Sequence, residues 1–340
     1  MRLLMVNWGY DDEAVMERAL VGADTVLDLR RWIPGKEQPL AASDGATADA
    51  IINYSAVEQI GADPSVFPNC RIVVRSGVGF DNVDLKGWGQ RGVPVCNVPD
   101  YGTTEVADHA IALMLALARG TASYGPMLRQ DTVKGWRFAA APLVRRLRGA
   151  TFGVIGLGRI GLAAALRAQA FGMRVLFFDP YLSTGTELST GFTRVQSLEA
   201  LMAASDVVSV HAPLSAETRG MVGAKAFAAA KPGVIVVNTA RGPIVDLDAL
   251  GEAIRSGKVG GAGLDVLPAE PADANHPLIS AWMKGEAWAE GRLTISPHAA
   301  FYSPSSIEDL RRKSIEVVVD YIRHGRLANC VNSEFLEKRA

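Results

Sequence analysis

Cysteine, long apolar runs and net charge are all scarce in this 340-residue chain, and each scarcity removes a class of function. The three cysteines, Cys70, Cys96 and Cys330, lie far apart and form no CxxC pair. Such spacing suits neither a disulfide framework nor a thiolate metal site, so they read as ordinary reduced thiols, and no metal is expected. With 35 Lys and Arg against 36 Asp and Glu, the formal charge is −1, and there is no electrostatic case for nucleic acid or a membrane surface as partner. The longest apolar run near a helix, residues 110–118, is too short to span a bilayer. Only residues 3–6 are apolar before Asn7, so no signal peptide is visible and the cytoplasm is the default expectation.

What the chain does have is enough apolar material for two cores. Hydrophobic residues make up 49% and charged residues 21%, a globular composition at a length that allows two domains. It is organised around TFGVIGLGRIGLAAALRAQAFGMRVLFFD at 151–179. This reads as strand, glycine turn, helix and second strand, the dinucleotide fingerprint with an acidic residue, Asp179, at the end of the second strand. Gly156 makes the tight turn, Gly158 lets the backbone approach a pyrophosphate, and Gly161 lets helix and strand pack closely. The helix N-terminus, beginning at Arg159 and Ile160, then faces the anion.

Before this stretch, short apolar runs at 3–6, 25–29, 50–52, 72–74 and 93–96 alternate with helical segments, a parallel-sheet pattern. RSGVGFDNVD at 75–84 places two spaced glycines directly after a strand end. NVPDYG at 97–102 marks the first domain boundary, and Thr103 or Thr104 can cap a long helix ending near Arg119. Residues 120–148 read as an irregular arm whose Arg145, Arg146 and Arg148 form a solvated basic face. Further strands are expected at 206–210, 234–237, 262–264 and 293–295, and an amphipathic helix at 306–321; residues 272–292 fit no element.

The polar residues that follow these strands are the informative ones: Gly156, Asp179, His211, then NTARG at 238–242, Asp265 and His298. In an open parallel sheet, ligands bind outside the carboxyl ends of the strands, so this edge is the expected active site. Arg241, Glu270 and His298 together suit hydride-transfer chemistry on a hydroxy acid. A guanidinium can hold carboxylate and carbonyl oxygens, an imidazole can exchange the hydroxyl proton, and a carboxylate beside it can fix its tautomer.

At this point the sequence resembles the D-isomer-specific 2-hydroxyacid dehydrogenases over nearly its whole length. RSGVGFDNVD, GLGRIG at 156–161, NTARGPIVD at 238–246, GLDVLPAEP at 263–271 and PHAAF at 297–301 carry the resemblance. FFDPYLS at 177–183, PHAAFYS and NCVN at 329–332 look most like the C-terminal-binding-protein subgroup. The resemblance implies two doubly wound α/β domains. A Rossmann cofactor domain at 100–298 is inserted into a flavodoxin-like substrate domain made of 1–99 and 299–340, with a homodimer built through the cofactor domains.

It also implies site roles. Arg241 anchors substrate, Glu270 is the partner carboxylate and His298 the acid/base, while Val78 and Gly79 offer amides to a substrate carboxylate. Asp179 binds the adenosine ribose of NAD, Arg159 and Ile160 lie at the pyrophosphate, Thr239 and Asp265 line the nicotinamide side, and Thr104 is a weaker cofactor contact. Glu270 stands where formate dehydrogenases of this superfamily carry glutamine, which disfavours that chemistry, and Phe301 where the co-repressor-like subgroup carries tryptophan. Tyr54 and Arg75 could also face substrate. Two functions follow as expectations: an NAD-dependent enzyme acting on a small 2-hydroxy or 2-keto acid, or an NAD(H)-sensing interaction protein of the C-terminal-binding-protein kind.

Overall fold

The computed structural model describes residues 1–31, 45–54 and 64–336, which divide into two compact units. The first comprises Met1–Gly102 with Tyr302–Ala340, the second Thr103–Phe301.

In the first unit, β1 (Arg2–Trp8), α1 (Val15–Val21), β2 (Val26–Arg31), β3 (Ala50–Asn53), β4 (Ile72–Arg75), α2 (Leu85–Gln90) and β5 (Val95–Asn97) follow in chain order. Their strands form a parallel sheet ordered β2-β1-β3-β4-β5. That is the flavodoxin-like order. Both faces of β3, β4 and β5 are buried, as a parallel sheet requires.

The C-terminal helix, Pro304–His324, completes this unit. It starts earlier than the 306–321 expectation because Ser303 and Ser306 form a reciprocal capping box around Pro304, and it ends at Gly325 in left-handed backbone (φ 66°). Arg311 secures it. Its guanidinium meets Glu17 at 2.6 and 2.8 Å and Asp12 at 2.8 and 3.0 Å, and it stacks on Trp8 and Tyr10. Glu17 is fully buried, so this cation is what makes its charge tolerable.

The second unit contains α3 (Thr103–Ala118), α4 (Thr121–Gln130), β6 (Thr151–Ile155), α5 (Arg159–Ala170), β7 (Arg174–Phe178), α6 (Thr186–Thr190) and β8 (Thr193–Arg194). These are followed by α7 (Leu198–Ala204), β9 (Val207–Val210), α8 (Ala224–Ala229), β10 (Val234–Asn238), α9 (Leu247–Arg255), β11 (Val259–Leu264), α10 (Pro277–Met283) and β12 (Leu293–Ile295). The sheet is wholly parallel and ordered β12-β11-β10-β9-β6-β7-β8. Counting from β6, this is the Rossmann order 3-2-1-4-5-6 with one strand added at the far edge. Alternate residues feed two cores. Val208, Val210, Val234 and Val236 pack on one face, while Phe152, Val154, Ile235 and Val237 pack on the other against Ala110, Met114 and Leu117 of α3.

Several local expectations are corrected. The arm at 120–148 is not wholly irregular, since it begins with α4; this helix buries no residue and contains Pro126, so it shows neither an apolar stripe nor an unbroken helical run. Arg145 is not part of a solvated face. It donates to the carbonyls of Leu143 (3.3 Å) and Gly233 (2.8 Å), and burial lowers its pKa, whereas Arg146 and Arg148 are exposed. Within 272–292 lies α10, whose first turn is set by Pro277 and by His276, its Nδ1 accepting from the Leu278 N–H at 3.3 Å.

Candidate active site

The nucleotide end of the second unit is built by the turn between β6 and α5. Gly156 has φ 85°, and a Cβ there would lie 2.8 Å from Ala212 N, because β6 and β9 are neighbours at the point where the strand order reverses. At Gly161 a Cβ would come within 2.1 Å of the Gly156 carbonyl oxygen. Gly158 differs: nothing lies within 4 Å of the Cβ position, and no side chain caps the helix that starts at exposed Arg159 and half-buried Ile160. An open cradle over uncapped amides fits a pyrophosphate.

Asp179, half-buried, directly follows β7. Its Oδ2 accepts the Leu157 N–H and its Oδ1 the Tyr181 N–H, both at 3.0 Å, so the carboxylate is braced against the glycine turn. An arginine the sequence places elsewhere also arrives here: Arg194 of β8 donates to the Asp179 carbonyl at 3.0 Å. Its remaining donors are held by Glu187, Leu182 and Ser183. Thr239, after β10, is 8% exposed and its Oγ1 has no hydrogen-bond partner, an orphaned donor that a cofactor can satisfy. Thr104 is exposed with its hydroxyl on Glu105, whereas the buried, unpartnered hydroxyl of that helix start belongs to Thr103.

Arg241, Glu270 and His298 come together within this unit. Asn238 folds the turn that carries Arg241: its Oδ1 accepts the Ala240 N–H at 3.0 Å and its Nδ2 donates to the Arg241 carbonyl at 2.9 Å. Gly242 lets that turn meet the next one, since a Cβ there would lie 2.0 Å from the Leu267 carbonyl carbon. Glu270 sits on that second loop. Its Oε1 accepts the Leu267 N–H at 3.1 Å and its Oε2 meets His298 Nδ1 at 2.7 Å. Burial pushes the Glu270 carboxyl up, but the His298 bond and charge, the Leu267 N–H and Arg241 outweigh it, leaving its pKa lowered. An ionised carboxylate can only accept, so Nδ1 carries a proton and Nε2 is the atom left for chemistry.

His298 has left-handed backbone (φ 51°), an uncommon state for a non-glycine residue. Asp265 maintains it. The His298 N–H donates to the Asp265 carbonyl at 2.8 Å, while the Asp265 carboxylate, 1% exposed, accepts from Ala299 and Ala300 N–H groups, each at 2.9 Å, and from Ser296 Oγ at 2.6 Å. The structure thus gives Asp265 a bracing task that the sequence did not suggest. It also adds one residue that sequence reasoning missed: His109 of α3 meets Ser296 Oγ at 2.8 Å and lies 3.5 Å from Asp265. His211 stands after β9 at the same edge, with Nε2 on Ser209 Oγ at 2.8 Å, and burial lowers its pKa to about 4.

Val78 and Gly79 belong to the first unit, on the turn after β4, where Asn97 Nδ2 donates to the Val78 carbonyl at 2.7 Å. Arg75 is buried there and donates to the Ser76 carbonyl at 2.6 Å. Tyr54 packs edge-on against Trp8 and Tyr10. Among the described residues no cluster of His, Cys, Asp or Glu could hold a metal ion, and no helix is long and apolar enough to cross a membrane.

Comparison with known proteins places this geometry. Residues 111–300 match the family model described as D-isomer specific 2-hydroxyacid dehydrogenase, NAD binding domain. A D-3-phosphoglycerate dehydrogenase of Mycobacterium leprae is 40% identical over 249 residues, 73% of this chain but 46% of that protein, so the chain spans about half the length of such curated relatives. An NADPH-dependent glyoxylate/hydroxypyruvate reductase of Sinorhizobium meliloti, solved with NADP and malonate, superposes with a TM-score of 0.81 at 31% identity, covering 100% of this chain and 99% of that one. A D-lactate dehydrogenase of Aquifex aeolicus, solved with NAD and lactic acid, gives 0.78 at 28% identity over 94% and 95% of the two chains. The fingerprint turn, the Arg–Glu–His group and the matched family model together make this chain a member of the D-isomer specific 2-hydroxyacid dehydrogenase family.

Proposed function

We propose that the chain is an NAD(H)-dependent oxidoreductase interconverting a small D-2-hydroxy acid and its 2-keto acid. The observation that carries this reading is the 2.7 Å bond from His298 Nδ1 to Glu270, beside Arg241, on the edge that also holds the dinucleotide turn. NAD(H), when bound, supplies or accepts the hydride. Arg241 holds the substrate carboxylate and polarises the 2-carbonyl oxygen through its guanidinium fork. His298 gives a proton from Nε2 to that oxygen during reduction and takes it back during oxidation. Glu270 keeps Nδ1–H in place and so fixes the tautomer and the aim of the ring; Asp265 holds the loop that carries it. The Val78 and Gly79 amides remain a proposed carboxylate contact, on the family resemblance.

Asp179 supports NAD(H) over NADP(H), because a carboxylate at the ribose repels a 2′-phosphate and the nearby Arg194 is already committed to Glu187 and three carbonyls. We further propose a cytoplasmic homodimer joined through the second unit. Val133, Trp136 and Phe138 of the arm are 83%, 80% and 91% exposed, an apolar set that a second copy can cover. An NAD(H)-sensing interaction protein of the C-terminal-binding-protein kind would have no use for the three catalytic groups together. The relatives compared are named as dehydrogenases and reductases, which favours the enzyme.

The test is a screen of glyoxylate, hydroxypyruvate, pyruvate and bulkier 2-keto acids with NADH and with NADPH, followed by loss of cofactor absorbance. At least one acid should be reduced with NADH, and the His298→Asn variant should bind NADH without turnover. If no acid oxidises NADH faster than the enzyme-free control, the reading fails.

A further inference from the structure

Cys96 and Cys330 lie directly opposite one another where the segment after the C-terminal helix pairs antiparallel with β5. The flanking bonds define the kind of pair. The Asn97 N–H donates to the Asn329 carbonyl at 3.1 Å and the Val331 N–H to the Val95 carbonyl at 2.8 Å, so the hydrogen bonds bracket the two cysteines rather than join them. In antiparallel pairing this is the closer arrangement, with α-carbons roughly 4.5 Å apart. A disulfide bridges α-carbons roughly 4.4–6.8 Å apart, so the register already lies in reach.

Both thiols are free. Cys96 is fully buried and Cys330 partly exposed. Burial, and then the Cys330 thiol beside it, pushes the Cys96 thiol up to about 12. Asn332 keeps the register from slipping. It is fully buried, its Oδ1 accepts the Val95 N–H at 2.8 Å, and its Nδ2 donates to the carbonyls of Val93 at 3.1 Å and Leu85 at 3.3 Å.

We propose that Cys96 and Cys330 are a redox modification site, at which a peroxide or a small-molecule disulfide converts the pair into an intramolecular disulfide. With hydrogen peroxide, Cys330, the more exposed residue of the two, attacks as its thiolate. The O–O bond breaks, leaving Cys330 as a sulfenic acid and releasing hydroxide, which the thiol's proton turns into water. The Cys96 sulfur then attacks the Cys330 sulfur, the S–O bond breaks, and a second water leaves with the Cys96 proton. Two thiols lose two hydrogens and two electrons, and one peroxide takes both. A small-molecule disulfide acts through a mixed disulfide on Cys330 and releases two small-molecule thiols. The fully buried thiol with the high proton affinity is therefore the resolving partner and the partly exposed one the attacking partner.

The bond would tie together the two stretches of chain that make the first unit, one on each side of the continuous second unit. Cys70 is an internal control: it is buried, its Sγ donates to the Ile72 carbonyl at 3.3 Å, and burial pushes it up to about 12.

The full chain is incubated with hydrogen peroxide or with oxidised glutathione, and followed by thiol titration, intact mass, peptide mapping and thermal unfolding. The expected result is loss of two of the three free thiols, one peptide linking Cys96 to Cys330, and a Tm rise of at least about 5 °C that dithiothreitol reverses. Cys70→Ser should form the same link, and Cys330→Ser should form none and keep the Tm of the reduced protein. Three thiols still titratable after treatment overturn the proposal. So does a Cys330 that stops as a glutathione adduct or sulfinic acid, or a link that joins two chains.

Discussion

His211 offers a stability measurement whose sign and size follow from its surroundings. Burial holds its imidazole down at about 4, against 6.5 for the ordinary side chain, with Ser209 Oγ 2.8 Å from Nε2. Between those values the unfolded chain binds a proton that the folded chain refuses. Stability therefore rises with pH across the window, is fully present above the unfolded value, and is lost as pH falls toward the folded one. At about 1.4 kcal/mol per pKa unit, the displacement is worth roughly 3 kcal/mol in full, and about 2 kcal/mol of it should be gone by about pH 5. Glu270 and Asp206 also have lowered values and also destabilise on acidification, but below their ordinary 4.5 and 3.8, so an interval ending near pH 5 leaves most of their effect outside. The perturbation is His211→Gln, which keeps a polar group toward Ser209 and removes the titration. Urea unfolding of both proteins at neutral pH and near pH 5, with amide exchange in β9 as the local probe, gives the comparison. The unmodified chain should lose about 2 kcal/mol more than the variant over this interval. Equal losses would refute the argument, since they would mean that His211 pays no burial penalty on protonation.

Three other outcomes are expected. Asp179→Ala should narrow the preference for NADH over NADPH by roughly tenfold or more, the worth of one charge contact; equal kcat/KM for the two cofactors in the unmodified protein would falsify the role given to that carboxylate. Arg241→Lys should keep NADH binding, measured by fluorescence, but lose keto-acid kcat/KM by roughly a hundredfold, because an ammonium cannot reproduce the fork; a normal kcat/KM would remove Arg241 from the substrate. His109→Ala should lower kcat with little change in the KM for NADH, because it acts through Ser296 and Asp265 on the loop carrying His298. His109→Gln, which can still reach Ser296, should restore most of it, and equal loss in both variants would leave His109 a packing residue.

How much of this was legible beforehand depends on whether the signal was local. The glycine turn at 156–161, the runs that became β6, β9 and β10, and the polar residues after each strand all carry their meaning within a few positions, so they could be read directly. Arg241, Glu270 and His298 could be suspected because each follows a strand of one sheet. His109 could not: it lies inside an apolar helix, and the Ser296 hydroxyl it meets is 187 positions away. Asp265 was legible as an edge residue, but its use as a brace depends on Ser296, Ala299 and Ala300 folding back onto it. The two-residue β8 is too short for any period, and α4 lacks a buried face. Arg145 looked like surface charge because its acceptors, the Leu143 and Gly233 carbonyls, are backbone atoms that no side-chain pattern announces.

The split of the first unit around the second sets an order of events on the ribosome. Glu17 is made well before the guanidinium that makes its burial tolerable, which belongs to Arg311, separated by 294 positions and by the whole of Thr103–Phe301. The continuous unit can close once the chain through Phe301 has left the ribosome. The nascent N-terminal sheet meanwhile waits without its last helix, its acidic partner for Arg311 still in water. Translation thus finishes the part that holds Arg241, Glu270 and His298 before the last helix of the first unit, and a chain cut short before residue 311 would lack the cation that Glu17 needs for burial.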